Sequence, residues 1–322
     1  MNYKLIFILN LNLILSKELN TPVVLWHGLG DDCCNPESMG RVKTLIEDHI
    51  PGTYVHSIKL TPTVSGDKQA GFLGNLNNQI DEVCSNLRNN TRLKDGFNAL
   101  GFSQGGLFLR AYMERCQYPP IKTLVTFGSP HAGIASAPGC DDDMPGSSCS
   151  WMRFMLRRGA YSYYVRDHVI QAQYFKDPLQ LDNYYKHNIF LPYINNELPA
   201  INQTYSKSLK KLNKLVLVKF SKDSMIVPKD SAWFGFIKGK DFSQIESLRE
   251  SLGYKKDLIG LRTLDEADKL EFLLIDAEHM RIPNDFLIHK IFPYLKDENY
   301  SNKGEIYTGD KTKQHVFKAK LD

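Results

Sequence analysis

The sequence predicts an α/β fold: a mostly parallel central sheet with helices on both faces and a helical cap inserted into it. Three observations predict this. Short runs of four or more apolar residues alternate with longer segments whose apolar residues recur at helical spacing, as in strand–helix–strand units. Between two such runs, KTLVTFG (122–128) and KLVLVKF (214–220), lies a long stretch without a buried-strand pattern, rich in Tyr, Phe and charge; it reads as the cap, at about 132–212. At 322 residues, 42% hydrophobic and 24% charged, the chain has the composition of a globular protein and can bury a core without metals or many disulfides.

In chain order, PVVLWHG (22–28) reads as the first strand, followed by the helix MGRVKTLIEDH and GTYVHSIKL (52–60) as the second strand. AGFLGNLNNQIDEVCSNLRNN carries apolar residues at helical spacing. FNALGF (97–102) is a strand that runs directly into the helix GGLFLRAYMERC. KTLVTFG and KLVLVKF continue the sheet, KLEFLLID (269–276) ends it, and DFLIHKIFPYL (285–295) is the last helix.

Residues 1–16 have the pattern of an export signal, with Lys4 before an apolar run and small Ser16 at the cleavage point. The run is too short to span a bilayer and no second one follows, so no transmembrane segment is expected. The folded domain is expected at 17–297, with a polar tail at 298–322. A formal charge of +4 and two short basic stretches (207–214 and 311–320) give no stripe of the kind nucleic acid requires. The six cysteines (Cys33, Cys34, Cys84, Cys116, Cys140 and Cys149) form no CxxC pair and no metal-finger spacing, so no metal is expected; of the possible pairings, sequence alone selects none. Sequons at Asn89, Asn202 and Asn299 fit glycosylation of an exported chain.

The chemistry centres on Gly101-Phe102-Ser103-Gln104-Gly105, a GxSxG sequence. The bare motif is common by chance. Its context, a strand ending at Phe102 and an amphipathic helix starting at Gly105, is what the motif requires. A serine hydroxyl needs a base oriented by a third group. In the α/β-hydrolase fold the chain order is Ser, then Asp or Glu, then His, each on a loop after a strand. Asp223 follows KLVLVKF, and His279 follows KLEFLLID. Asp230 lies further from its strand end and Asp276 too near its own; His289 is inside a helix, and His131 precedes the acid. The remaining candidates His49, His56, His168, His187 and His315 lack a strand end. The oxyanion donors are expected to be the backbone N–H of Gln104 and, from the loop His27-Gly28-Leu29-Gly30, that of Leu29.

HGLGDDCCNPESMG (27–40), FNALGFSQGGLFLRA (97–111), and VKFSKDSMIVP with SAWFGF (218–236) resemble the palmitoyl-protein thioesterase family. The resemblance runs from about Pro22 to Leu295, and the adjacent cysteine pair and WFGF are uncommon features. It implies an enzyme of the lysosome, reached through the secretory pathway or also secreted, that removes palmitate from cysteines of S-palmitoylated proteins or peptides undergoing degradation. It also implies an apolar groove for the fatty acyl chain and no cofactor. Carried over by motif, nucleophile, acid and base fall on Ser103, Asp223 and His279, and the oxyanion donors on Leu29 and Gln104. The family's disulfides would join Cys33 to Cys34, Cys84 to Cys116, and Cys140 to Cys149. The chain departs from the family at Ser129-Pro130-His131-Ala132-Gly133, where the family shows a GGQHQG-like segment, at Lys222, which replaces a sequon, and in the tail beyond Asp297.

Trp151, Phe154, Tyr161, Tyr164, Tyr174 and Phe175 of the cap are candidates for the groove, although most are expected to pack the cap onto the core. The triad alone does not separate a thioesterase from a lipase or carboxylesterase acting on oxygen esters. A catalytically dead hydrolase-fold binding module is a further reading, and retention of all three triad positions argues against it.

Overall fold

A computed structural model describes residues 20–136 and 159–296. The export signal at 1–16, Cys140, Cys149, Trp151, Phe154, Asn299, His315 and the tail at 298–322 lie outside the described residues.

Six strands form the central sheet: β1 (Val23–Trp26), β2 (Val55–Ser57), β3 (Phe97–Phe102), β4 (Ile121–Phe127), β5 (Lys214–Phe220) and, last in the chain, β8 (Leu270–Ile275). They pair in the order β2-β1-β3-β4-β5-β8, every pair parallel. Because successive strand side chains face opposite ways, these apolar runs feed two cores. Val23, Leu25, Leu100, Phe102, Val125 and Phe127 face one side, under α1 (Met39–His49) and the C-terminal helical segment. Val24, Trp26, Phe97, Ala99 and Leu124 face the other, under α3 (Leu76–Asn89) and α4 (Gln104–Arg115). Both faces are covered, which is why the strands read as continuous apolar runs and not as alternating ones.

The strand order fixes where a ligand can bind. From β1 the chain moves outward to β2, then returns to the other side of β1 as β3. At such a switch point the loops leaving neighbouring strands part in opposite directions and open a crevice at the carboxyl ends. The loop at Gly28 and the turn at Ser103 flank this crevice.

Helix α4 lies in the middle of the molecule, buried from Gln104 through Glu114. The segment between β4 and β5 covers it with short helices, α5 (Tyr163–His168), α6 (Leu181–His187), α7 (Leu191–Ile194) and α8 (Gln203–Leu209). A buried polar cluster pins that segment down. Arg110 of α4 donates to Glu114 (2.9 Å), to the Asn195 side chain (2.7 Å), and to the carbonyls of Ile194 and His131 (each 3.3 Å).

Three features differ from the sequence reading. The helical pattern read from Ala70 onward begins only at Leu76: a separate helix, α2 (Val64–Ala70), ends before Gly74, whose φ of +140° suits only glycine, and Asn75 then caps α3 through its side chain. An antiparallel hairpin, β6 (Phe236–Lys238) and β7 (Asp241–Glu246), stands apart from the sheet; β7 is mostly exposed and polar, so it gave no apolar signal. The last helix is broken by a π turn at Leu287–Ile291 and tightens at Phe292–Tyr294, where Pro293 has no N–H to donate.

Burial holds the Glu114 carboxyl above its ordinary value, against the pull of Arg110. A carboxyl raised on folding stabilises fully below its unfolded pKa, and the contribution is lost as pH rises through the folded value. Conformational stability measured by denaturant is therefore expected to fall as pH rises above the ordinary value of 4.5 towards neutrality. Glu114→Gln is expected to remove on the order of 1–3 kcal/mol of that fall. An unchanged slope would contradict it.

Candidate active site

Ser103 sits between β3 and α4 with φ 52° and ψ −126°, a conformation that costs a non-glycine residue roughly 1–3 kcal/mol. Two backbone bonds hold it: its N–H donates to Phe127 O (2.8 Å), and its carbonyl accepts from Gly106 N–H (3.1 Å). The turn is this tight because the flanking motif glycines carry no side chain. A Cβ on Gly101 would lie 2.2 Å from Gly106 Cα, and one on Gly105 would lie 2.3 Å from Trp26 O.

His279 follows β8, in a turn whose next residue, Met280, has φ 60°. The loops after β5 and β8 are laced together through Ser221 N–H to Ile275 O (2.9 Å) and Lys222 N–H to Ala277 O (3.1 Å). This lacing brings His279 Nδ1 within 2.7 Å of Asp223 Oδ2 and His279 Nε2 within 3.0 Å of Ser103 Oγ. Asp223 Oδ1 accepts two further bonds, from the N–H groups of Met225 (2.9 Å) and Ile226 (3.0 Å). With the carboxylate accepting at Nδ1, that nitrogen carries the imidazole proton, and Nε2 is free to accept from the Ser103 hydroxyl. The Phe220 ring packs against the imidazole in a T-shaped arrangement, with the ring centroids 5.9 Å apart.

Gly28 lies against the serine: a Cβ there would be 3.0 Å from Ser103 Cβ. The peptide joining Gly28 to Leu29 thus borders the reaction position. Gln104 opens α4, so its N–H is among those the helix leaves unpaired. Its side chain is locked: Nε2 donates to Gly71 O (3.1 Å), and Oε1 accepts from the Tyr174 hydroxyl (2.9 Å).

A cavity adjoins Ser103 and His279. Its walls are mostly apolar, formed by Leu29, Met39, Val42, Phe102, Tyr174, Met225, Ile226, Met280 and Ile282, with Asp31, Ser38 and Arg41 as polar members. Of the cap aromatics among the described residues, Tyr174 lines it, Phe175 and Tyr161 pack inward, and Tyr164 is exposed on His168.

The other candidates lie elsewhere. Asp230 pairs with Lys219 (2.7 Å), and the exposed Asp276 sits beside Lys222 (3.3 Å). His289 is inside the π turn. His49 and His168 bond carbonyls one turn back in their own helices. His131 is fully buried, its imidazole held well below its ordinary pKa by desolvation and by Arg110. It bonds Thr126 and stacks on Phe234 at 4.6 Å. The Ser129–Gly133 departure is thus a packed corner of the core, joined to the WFGF segment. Cys33 is bonded to Cys34 and Cys84 to Cys116. Asn89 and Asn202 are exposed, and Asn202 caps α8 through its side-chain oxygen.

A buried pair escaped the sequence reading. His27, 2% exposed, has Nδ1 2.9 Å from Gly28 O and Nε2 3.3 Å from an oxygen of Asp67, itself 1% exposed. Asp67 also accepts from the N–H groups of Cys33 (3.0 Å) and Leu60 (2.7 Å). Forty residues of chain separate the partners, and no local pattern links them. Among the described residues, no group of three His, Cys, Asp or Glu side chains is placed to hold a metal ion, and no helix is long and apolar enough to cross a membrane.

A family model described as palmitoyl protein thioesterase matches residues 22–279. Palmitoyl-protein thioesterase 1 of Caenorhabditis elegans is 47% identical over 270 residues, 84% of this chain and 90% of that protein. Palmitoyl-protein thioesterase 3 of Dictyostelium discoideum is 31% identical over 281 residues, covering 86% and 92%. A lysosomal thioesterase PPT2 homologue of Drosophila melanogaster is 32% identical over 286 residues, covering 85% and 91%.

Gly28→Ala is expected to push the Gly28–Leu29 peptide off Ser103. Labelling of Ser103 by a fluorophosphonate should slow by about 10²-fold, with a loss of about 1–3 kcal/mol in stability. Labelling at the wild-type rate would show that the loop tolerates the methyl group.

Proposed function

This chain belongs to the palmitoyl-protein thioesterase family and is a thioester hydrolase of the α/β-hydrolase fold; on that premise we propose that it releases palmitate from S-palmitoylated cysteines, with Ser103 as nucleophile, His279 as base and Asp223 as the group that orients it. One observation carries the assignment of roles. The Ser103–His279–Asp223 hydrogen bonds run unbroken beside an apolar cavity.

In this reading His279 Nε2 takes the Ser103 proton as Oγ attacks the thioester carbonyl. The N–H groups of Leu29 and Gln104 hold the oxyanion; the positive end of α4 adds to that field. Collapse expels the cysteine sulfur, which takes the proton from His279. Water then attacks the acyl-enzyme, gives a proton to Nε2, and displaces Ser103, which recovers its proton as the fatty acid leaves. Asp223 stays ionised throughout and stabilises the imidazolium. The apolar walls near Ser103 supply the acyl groove, where each buried CH₂ contributes about 0.8 kcal/mol. We read residues 17–297 as the mature domain and about 132–212 as its cap, which contributes Tyr174 to the groove.

The lysosome, reached through the secretory pathway, is the compartment we assign. The signal-like N-terminus, the two disulfides among the described residues, the exposed sequon asparagines Asn89 and Asn202, and relatives named as lysosomal thioesterases support it.

Purified protein is expected to hydrolyse a palmitoyl-cysteine peptide, and Ser103→Ala to abolish turnover. Asp223→Asn should lower kcat by about 10⁴-fold. Matched thio- and oxygen esters of palmitate test the leaving group: cleavage of the oxygen ester alone would replace this reading by a lipase or carboxylesterase.

A further inference from the structure

Both ring nitrogens of His27 face acceptors. The Gly28 carbonyl lies 2.9 Å from Nδ1, and an Asp67 carboxylate oxygen lies 3.3 Å from Nε2. Nδ1 is within hydrogen-bonding geometry of the Gly28 carbonyl, whereas Nε2 makes no directed hydrogen bond and meets Asp67 as a buried charge contact; a neutral imidazole would turn a lone pair towards one of these oxygens, and the imidazolium towards neither. Burial opposes that charge, while Asp67, the Gly28 carbonyl and Asp31 favour it, and together they raise the imidazole above its ordinary value. Asp67 is itself fixed by the N–H groups of Cys33 and Leu60, so the ring faces a carboxylate held by the backbone.

The Gly28 carbonyl and the Leu29 N–H belong to one peptide unit. Amide resonance couples them: a proton donated to the oxygen draws electron density from the nitrogen and makes its N–H a stronger donor. A cationic donor in a buried setting does this more strongly than a neutral one. We propose that His27 is a positioning residue of the reaction, a buried imidazolium held by Asp67 that orients and polarises the Gly28–Leu29 peptide so that the Leu29 N–H binds the developing oxyanion. The inference rests on Leu29 being an oxyanion donor. It assigns to His27 and Asp67 a part that neither takes by touching substrate.

The contribution falls on the transition state, where the oxygen carries charge, and not on binding of the acyl chain. The test compares wild type with His27→Asn, whose amide can still reach the Gly28 carbonyl but brings no charge. Three quantities are read: kcat and KM for a palmitoyl thioester, Ki for a palmityl trifluoromethyl ketone, which forms a charged tetrahedral adduct on the serine, and Ki for the unreactive thioether of the same chain. The expected result is a fall in kcat of about tenfold, smaller than the 10²–10³ that follows loss of a donor outright. An equal weakening of the ketone should accompany it, with KM and thioether affinity within about twofold of wild type. Unchanged kcat and ketone affinity would overturn the proposal, as would a ketone and thioether weakened alike, which marks a structural role alone. Failure of the wild type to form the ketone adduct, or turnover by Ser103→Ala, would instead overturn the reading of the site on which the proposal rests. Should His27→Asn not fold, neutron diffraction from wild-type crystals at neutral pH decides: deuterium on both ring nitrogens supports the proposal, and deuterium on one overturns it.

Discussion

The start of α4 lies almost in contact with the backbone at the end of β1, and the geometry of the site follows from that approach. A methyl group on Gly105 would reach 2.4 Å from His27 O, and one on Gly101 would overlap Gly106. Packed this closely, the chain can pass from β3 into α4 only through the positive-φ turn at Ser103. The same approach sets Gly28 against Ser103, the residue that leads into α4. The proposed nucleophile and the two groups read as its oxyanion donors therefore share one constraint, and a residue that widens it disturbs all three.

Around this fixed centre the sheet supplies the other partners by its order. β5 and β8 are neighbours, and the loops leaving them are bonded to each other before either reaches Ser103. His279 thus meets Asp223 through a short, rigid route despite a separation of 56 residues. On the opposite side, the Arg110 cluster seats the covering segment on α4. Burying an ion pair contributes little net stability, but losing one partner of such a pair is costly. The arrangement consequently favours one seating of that segment, in which Tyr174 reaches Gln104.

Much of this was legible in the sequence because parallel strands buried on both faces are short uninterrupted apolar runs, and Asp223 and His279 stand just beyond two of them. GxSxG gained its meaning from the strand before it and the helix after it. The pairings Cys33–Cys34 and Cys84–Cys116 came from family resemblance, since spacing alone left the partners open. The hairpin β6–β7 was invisible because its residues are polar and mostly exposed, with only Phe236 and Ile237 buried against Ala132. His27–Asp67 and Tyr174–Gln104 were invisible for a different reason: each joins side chains brought together by tertiary packing, and neither leaves a periodic trace.

The distance along the chain between Ser103 and His279, 176 residues, has a consequence for biosynthesis. The serine and its turn leave the ribosome early, whereas the histidine follows the last strand of the sheet. At about 5–20 residues per second, roughly 10–35 s separate the two. A nascent chain, or one truncated before β8, carries Ser103 without the histidine proposed as its base. On the roles proposed above, hydrolytic competence arrives only with β8 and the loop that follows it, and a fragment that stops before that strand is expected to be silent.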